Sequence, residues 1–105
     1  MSMSSPAIGQ RWLSDAETEL GLGMVVEVNP RTITILFPKS EETRVYAKQN
    51  APLSRIRFNI GDTIKDTDNK EWLVTAVRER KFVLRYEVQD EHGHATSFAE
   101  TKLSP

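Results

Sequence analysis

The chain carries one pattern of apolar residues twice. Each copy begins at a glycine, continues through two runs in which apolar and polar residues alternate, and closes on an aromatic residue followed by alanine. The copies cover residues 9–47 and 61–99, and their ends are offset by 52 residues. Within the runs the offset is 49, which matches Val25, Val28, Ile33, Ile35 and Phe37 with Val74, Val77, Phe82, Leu84 and Tyr86. Such a duplication limits the fold to two copies of one small unit.

The repeated unit consists of short β-strands. In the run Thr32–Phe37 every second residue is apolar and the others are mostly threonine, a composition typical of a half-buried strand. Asn29-Pro30-Arg31 separates this run from Met24–Val28 and predicts a hairpin turn. In the second copy, Trp72–Val77 and Phe82–Val88 are the predicted strands, with a charged hairpin tip at residues 78–81. The fold class is therefore all-β, with small, strongly bent antiparallel sheets.

The sequence suggests three segments along the chain. Residues 1–8, which begin with a serine-rich polar stretch, are predicted to be a disordered leader. Residues 9–58 and 59–105 are the predicted first and second β-units. One segment has a helical signal, because Ser14-Asp15-Ala16-Glu17 is a capping-box pattern and Gly21 follows seven residues after Ser14. A stretch this short predicts an ordered loop with one turn of helix rather than a recognition helix.

Composition limits the classes of function. The 105 residues carry a formal net charge of -1, so no overall positive field favours nucleic acid. There is no cysteine, and no apolar run approaches the roughly 20 residues needed to span a bilayer. Residues 1–6 also lack the features of a secretory signal. We expect a cytoplasmic protein that does not insert into membranes.

The sequence contains few groups that suggest catalysis or cofactor binding. No glycine-rich phosphate loop is present, and the serines have neither a nucleophile-elbow context nor a partner base. His92 and His94 flank Gly93 next to two acidic residues, but a third metal ligand is missing, which favours a solvated turn. We therefore predict no catalytic, metal or cofactor site, and no enzyme activity for these residues.

The aromatic residues have two interpretations. An aromatic cage for a methylated lysine needs several ring faces around one cation. Phe37 with Tyr86, and Tyr46 with Phe98, instead occupy matching positions of the repeat, as core residues do. The core interpretation is favoured, with Trp12 or Trp72 left partly exposed.

Basic residues are the candidate contacts to a partner. Their guanidinium and ammonium groups could bind phosphates or an acidic protein surface. The alternative is that they are ordinary solvated residues at a hairpin tip. The candidate set consists of Arg55, Arg57, Arg78, Arg80 and Lys81.

Several segments together resemble a known family. They are the run Gly9–Gly23, Arg31–Pro38, Thr43–Ala47, Ala51–Arg55 and Phe58–Ile64. They are similar to the N-terminal region of the RapA family, bacterial RNA polymerase-associated ATPases of the Swi2/Snf2 class. The similarity is dense through Ile64 and looser after it.

The resemblance implies a fold, partners and a role. The fold would be two tandem Tudor-like or KOW-like units, which are SH3-like and strongly bent. The partners would be the RNA polymerase core and the family's ATPase motor, which this region would restrain, in a protein that promotes polymerase recycling. The ATP and Mg²⁺ sites would belong to that motor, since the sequence has neither a Walker A run nor an Asp-Glu-Ala-His box. The alternative is a module that binds nucleic acid, such as nascent RNA.

Overall fold

The computed structural model describes residues 6–105 and divides them into two compact units. The first unit ends at Ile56, and the second comprises Arg57–Ser104. This division lies two residues before the boundary predicted between residues 58 and 59. Of the predicted leader, residues 1–5 lie outside the described part of the chain.

The first unit is a five-stranded antiparallel sheet in the order β4-β3-β2-β1-β5. In β3, Ile33, Ile35 and Phe37 are fully buried, which confirms the face predicted from the alternation. They pack with Trp12, Leu20 and Val25 in one core cluster. The strands are β1 Arg11–Ser14, β2 Gly23–Val28, β3 Thr32–Phe37, β4 Glu42–Ala47 and β5 Leu53–Arg55.

The second unit is a four-stranded antiparallel sheet in the order β6-β7-β8-β9. Its buried apolar residues are Ile64, Val74, Leu84, Tyr86, Val88 and Leu103. The strands are β6 Thr63–Lys65, β7 Glu71–Arg80, β8 Val83–Gln89 and β9 Ala95–Ala99.

The fold class predicted from the sequence is confirmed. Both units are strongly curled antiparallel sheets. Within the described residues, helical structure is confined to the short 3₁₀ turns Thr18–Leu20 and Glu100–Lys102. Neither is long or apolar enough to cross a membrane.

Both units enter their sheets in the same way. The N–H of Gly9 donates to the carbonyl of Val25 at 2.9 Å, and that of Gly61 donates to the carbonyl of Val74, also at 2.9 Å. A β-bulge follows Val25 in β2 and Val74 in β7. A bulge bends its strand and increases the local twist, which allows so few strands to curl around a core. The repeat seen in the sequence is therefore a structural repeat.

The repeat alignment within the hairpins was wrong. In the first unit Val28 pairs with Ile33, and in the second Val77 pairs with Tyr86. Tyr86 is thus the counterpart of Ile33, at an offset of 53 residues rather than 49. The predicted repeat had matched Ile33 with Phe82 instead. Phe82 lies at a turn, with 54% of its surface exposed.

The corrected register shows that one hairpin is longer than the other. Four residues separate Val28 from Ile33, whereas eight separate Val77 from Tyr86. The second unit therefore has two additional residues in each strand, which extend its hairpin by about 7 Å. We call residues 78–85 the long hairpin.

The predicted turn of helix in the first unit is present. Its entry is fixed by Ser14, whose Oγ accepts the N–H of Glu17 at 3.1 Å. The chain then forms the 3₁₀ turn Thr18–Leu20 and leaves it through Gly21, at a φ of 84°. The turn buries Leu20 in the core of the first unit.

A buried arginine fixes the chain after this turn. The side chain of Arg11 donates from Nε to the carbonyl of Gly23 at 2.9 Å and from Nη2 to the carbonyl of Leu22 at 3.1 Å. At Gly23 a Cβ atom would lie 2.5 Å from Cγ2 of Ile35 and 2.7 Å from Cε1 of Phe37. The close approach of strand to core requires glycine here.

Candidate functional site

The five predicted basic residues are divided between the two units. One lies in β5 of the first unit and four belong to the second unit. Arg55, in β5, donates from Nη1 to the carbonyl of Arg11 at 3.1 Å, and its guanidinium carbon lies 5.8 Å from the ring centroid of Trp12. Arg55 thus contributes to the internal structure of the first unit. The residues in the second unit are Arg57, Arg78, Arg80 and Lys81.

Of the charged hairpin tip predicted at residues 78–81, only Lys81 lies in the turn, and the other three residues belong to a strand. Arg78, Glu79 and Arg80 continue β7, and the turn consists of Lys81 and Phe82 with φ values of 51° and 68°. Two consecutive positive φ angles characterise the type I′ turn, whose twist matches that of the flanking strands. The usual sequence signal for this turn is Asn-Gly, so a Lys-Phe turn could not be recognised from composition.

The strand pairing places three arginines on one face of the long hairpin. Val77 and Tyr86 pair on the core side of the sheet. Because side chains alternate across a strand, Arg78, Arg80 and Arg85 all lie on the opposite side. We call these three residues the outer basic face. Arg85 was not among the predicted residues, since only the register of β7 against β8 brings it beside Arg78.

The arginines of the outer basic face have different partners. Arg78 and Arg85 are directly opposite each other, an arrangement in which like charges repel. Arg78 donates to the carboxylate of Glu87, and Arg85 donates from Nη2 to Oγ of Ser97 at 3.2 Å. In residues 6–105, no carboxylate lies within ion-pair distance of Arg80 or Arg85. In the described part, Arg80 and Arg85 therefore have no ion-pair partner, and Glu87 on the same face is paired with Arg78.

A shallow groove of about 560 Å³ runs beside the outer basic face. Arg78, Arg85 and Glu87 border it on one side, and Ala95 and Ser97 of β9 border it on the other. The guanidinium of Arg85 extends to the neighbouring strand β9 and donates to Ser97. The groove therefore places two arginines and one carboxylate beside the small side chains of β9.

Two aspartates organise the turns at the opposite end of this sheet. Asp66 begins the turn between β6 and β7, and Asp90 begins the turn between β8 and β9. In each turn Oδ1 accepts the backbone N–H groups two and four residues later, at 2.9–3.0 Å. The two turns are thus copies of one hydrogen-bonding arrangement.

Lys70 joins the two turns. Its Nζ lies 3.1 Å from Oδ2 of Asp90 and 4.3 Å from the ring centroid of Trp72. The indole N–H of Trp72 donates to Oδ2 of Asp66 at 2.9 Å. That hydrogen bond is the main cause that lowers the pKa of Asp66, with the amides of Lys70 and Asp68 adding to it.

The charge of Asp90 is held by its surroundings. Its side chain is only 2% exposed, and burial by itself raises the pKa of the carboxyl group. The backbone N–H of His94, the ammonium of Lys70 and the N–H of His92 outweigh burial and hold the pKa well below its usual range. Asp90 is therefore ionised at neutral pH, a state that suits a structural anion and not a general acid.

The two histidines lie in the turn between β8 and β9. Nδ1 of His94 is 3.3 Å from Oδ2 of Asp90, and Nε2 of His92 is 3.5 Å from Oε1 of Glu91. Their ring centroids are 6.2 Å apart. Throughout the described residues, no three histidine, aspartate or glutamate side chains converge in a way that could hold a metal ion.

Comparisons with known proteins agree on one family. Residues 7–56 match the family model described as "RapA N-terminal Tudor like domain 1", and residues 58–105 match "RapA N-terminal Tudor like domain". Over 79 residues the chain is 51% identical to the RNA polymerase-associated protein RapA of Pectobacterium atrosepticum. The matched segment covers 75% of this chain and 8% of that relative, so the chain spans a small part of the relative's length.

The two family models divide the chain much as the structure does. Each model covers one curled sheet, and both describe Tudor-like domains, which are non-catalytic. The glycine contacts and the bulges that recur in the two units explain why one domain type occurs twice. The chain therefore belongs to the RapA family and contains the two tandem Tudor-like domains of its N-terminal region.

Proposed function

We propose that this chain is the part of a RapA-like protein that docks on core RNA polymerase and restrains an ATP-dependent Swi2/Snf2 motor in the same polypeptide. The observation that carries the proposal is the match of both units to RapA N-terminal domains, together with 51% identity to an RNA polymerase-associated relative. The complete protein would promote polymerase recycling in the bacterial cytoplasm. ATP and Mg²⁺ would bind the motor and not these two domains.

The charges on the second unit support a role in binding a partner protein. Asp66 and Asp90 have pKa values lowered by hydrogen bonds within their own turns, so both are fixed anions. The outer basic face has the opposite character, because three arginines point away from the core and the carboxylate of Glu87 on that face pairs with only one of them, Arg78. A positively charged surface on a rigid sheet is suited to an acidic partner.

A pull-down tests docking. Residues 1–105 carrying an affinity tag should retain purified core RNA polymerase, with the full-length parent protein as positive control. Retention by the parent combined with none by residues 1–105 would count against direct docking by this region.

Restraint of the motor has its own test. Deletion of residues 1–105 from the parent should raise its ATPase rate, since the contacts that hold the motor back are removed. Adding the separate domains back should lower the rate again. An unchanged rate after deletion would exclude restraint while leaving docking intact.

The second candidate function is binding of nucleic acid. It is favoured by Arg80 and Arg85, which could contact phosphates from one face of the long hairpin. Such binding weakens steeply with salt, because each neutralised phosphate releases counterions. If no single-stranded oligonucleotide is bound at low salt, this candidate is eliminated.

A further inference from the structure

Strand β9 is an unusual edge of the second sheet. It lies at the end of the order β6-β7-β8-β9, and the segment Ala95–Ala99 contains no charged residue and no proline. Exposed edge strands usually carry such residues, because they prevent pairing with other chains. The other edge strands of the described residues, β4, β5 and β6, each contain at least one charged side chain. The edge at β9 is therefore open to pairing.

The hydrogen-bond pattern shows which backbone groups face outward. At the start of the β8–β9 turn the N–H of Asp90 donates to the carbonyl of His94 at 2.9 Å. In an antiparallel ladder, pairs that exchange hydrogen bonds alternate with pairs that do not. Counting from this bond, Ala95, Ser97 and Ala99 belong to the second kind of pair. The N–H and C=O groups of Ala95 and Ser97, and the N–H of Ala99, point away from β8, towards the position of a further strand. The C=O of Ala99 belongs to the following turn, because Ala99 is the N-cap of Glu100–Lys102.

The side chains beside this edge determine which side-chain charges an added strand would need. Ala95, Ser97 and Ala99 lie on the same side of the sheet as Arg85, since Arg85 pairs with Ala99. These three side chains are small, and the guanidinium of Arg85 already extends onto β9, where it donates to Oγ of Ser97. A strand beyond β9 would lie about 4.8 Å away, within reach of this guanidinium. Carboxylates on the outer side of the added strand would pair with Arg85.

We propose that β9 binds an extended acidic segment of a partner protein, which adds to the sheet as a fifth strand. The edge amides and carbonyls of Ala95 and Ser97, with the amide of Ala99, supply the backbone hydrogen bonds. Arg85 selects segments that place an acidic residue beside it on this side of the added strand.

Two other occupants fit this edge less well. A second copy of the chain pairing through β9 would bring two basic faces next to each other, which is repulsive. A nucleic acid would use the arginines and leave the outward amides and carbonyls of β9 without partners. A polypeptide satisfies both the charges and the backbone groups.

The inference deepens the proposed docking function and takes from it only the assumption that the partner is a protein. The two can fail separately. If residues 1–105 retain polymerase and a Ser97→Pro variant retains it equally, docking stands and the β9 edge is not its contact. If neither retains polymerase but an acidic peptide binds at β9, the docking proposal fails and this inference stands.

The test uses a labelled peptide and matched variants of the 105-residue chain. The probe is a fluorescent peptide that alternates threonine and glutamate over about seven residues, enough to span a strand of this length. Ser97→Pro removes an outward N–H without breaking the ladder to β8, and edge strands tolerate proline at such positions. Ser97→Ala is the matched control, because it removes the hydroxyl and keeps the N–H. Arg85→Glu tests the charge, with Arg31→Glu in the first unit as its control.

Fluorescence anisotropy should give a clear pattern. Ser97→Pro and Arg85→Glu should each weaken binding by roughly tenfold or more, as expected for a lost backbone bond or a lost ion pair. Ser97→Ala and Arg31→Glu should change binding by less than about threefold. A peptide methylated at alternate backbone nitrogens should not bind. Circular dichroism should confirm that all variants are folded.

Other outcomes would overturn the inference. They are no binding of the acidic peptide, equal binding by Ser97→Pro, and an equal loss in Ser97→Ala and Ser97→Pro. Tighter binding of a single-stranded oligonucleotide that Ser97→Pro leaves unchanged would assign the face to nucleic acid. Self-association abolished by Ser97→Pro, without peptide binding, would assign the edge to a second copy of the chain.

Discussion

Nζ of Lys70 lies 3.1 Å from Oδ2 of Asp90 and thereby ties the β6–β7 turn to the β8–β9 turn. The two residues are 20 positions apart in the chain, so the contact links the two outer hairpins of the second sheet. The carboxylate is buried and the ammonium is half-exposed. This link should make the stability of the chain depend on pH.

We expect the chain to lose stability in acid through Asp90. Its folded-state pKa is lowered, so its contribution is fully present above the unfolded-state pKa of about 3.9. That contribution is lost progressively as the pH falls through about 3.9 towards the folded-state pKa. The urea concentration at the unfolding midpoint, measured between pH 7 and pH 2, should therefore decrease at low pH. In Asp90→Asn this decrease should be smaller, and an equal decrease in that variant would contradict the assignment.

Replacement of Gly23 by alanine should destabilise the first unit. The added Cβ would overlap Ile35 and Phe37 at 2.5 and 2.7 Å, and both residues are fully buried. Overpacking of this kind costs about 1–3 kcal/mol. Val45→Thr, at an exposed position of β4, is a control that should change the free energy of unfolding by less than about 0.5 kcal/mol. Equal stabilities of the two variants would show that β2 can move away from the core.

Arg11→Met should be much more harmful than the same change at a surface arginine. Arg11 is 2% exposed and donates to the carbonyls of Leu22 and Gly23. In the variant these two carbonyls would have lost the hydrogen bonds from Arg11. The free energy of unfolding should decrease by about 2–4 kcal/mol. Arg44 pairs with Glu17 and Glu42 at the surface. Arg44→Met should therefore lower the free energy of unfolding by less than about 1 kcal/mol. Denaturant titration of both variants tests this ranking, which similar losses would refute.

The turn of the long hairpin should be improvable. Lys81 and Phe82 both adopt positive φ, a conformation that asparagine and glycine adopt at lower cost. The combined change Lys81→Asn and Phe82→Gly should therefore stabilise the chain by about 1 kcal/mol. Differential scanning calorimetry should record a higher Tm. A lower Tm would mean that the packing of Phe82 outweighs the strain at the turn.

The strands could be predicted from the sequence because alternation is a local property. Ile33, Ile35 and Phe37 share one face whatever their partners are, and the structure buries all three. Register is different, since alternation has a period of two and a shift by an even number of residues leaves every face unchanged. Offsets of 49 and 53 differ by four, so the pattern could not distinguish Phe82 from Tyr86 as the counterpart of Ile33.

The candidate site was only partly predictable for the same reason. Arg78, Arg80 and Lys81 stand out as a basic run, but Arg85 joins them only through the pairing of β7 with β8. Arg55 looked equivalent to them, yet its contacts with Arg11 and Trp12 depend on the neighbouring strand β1. The link between Lys70 and Asp90 likewise joins two turns that are distant in the chain.

The long hairpin also sets a rule for length variation. In the first unit Asn29 donates to the carbonyl of Thr32 just before the turn, and in the second unit the last strand pair is Arg80 with Val83. Each strand of the second hairpin is two residues longer before its turn, which is one full repeat of the alternation between hydrogen-bonded and non-hydrogen-bonded pairs. Two residues in each strand make four additional residues in all. An insertion of two residues would shift the turn by one pair, from a hydrogen-bonded to a non-hydrogen-bonded pair or the reverse, and would require a different loop. Long hairpins that differ in length by multiples of four residues should keep the register of the core. The length of the hairpin can therefore change in steps of about 7 Å.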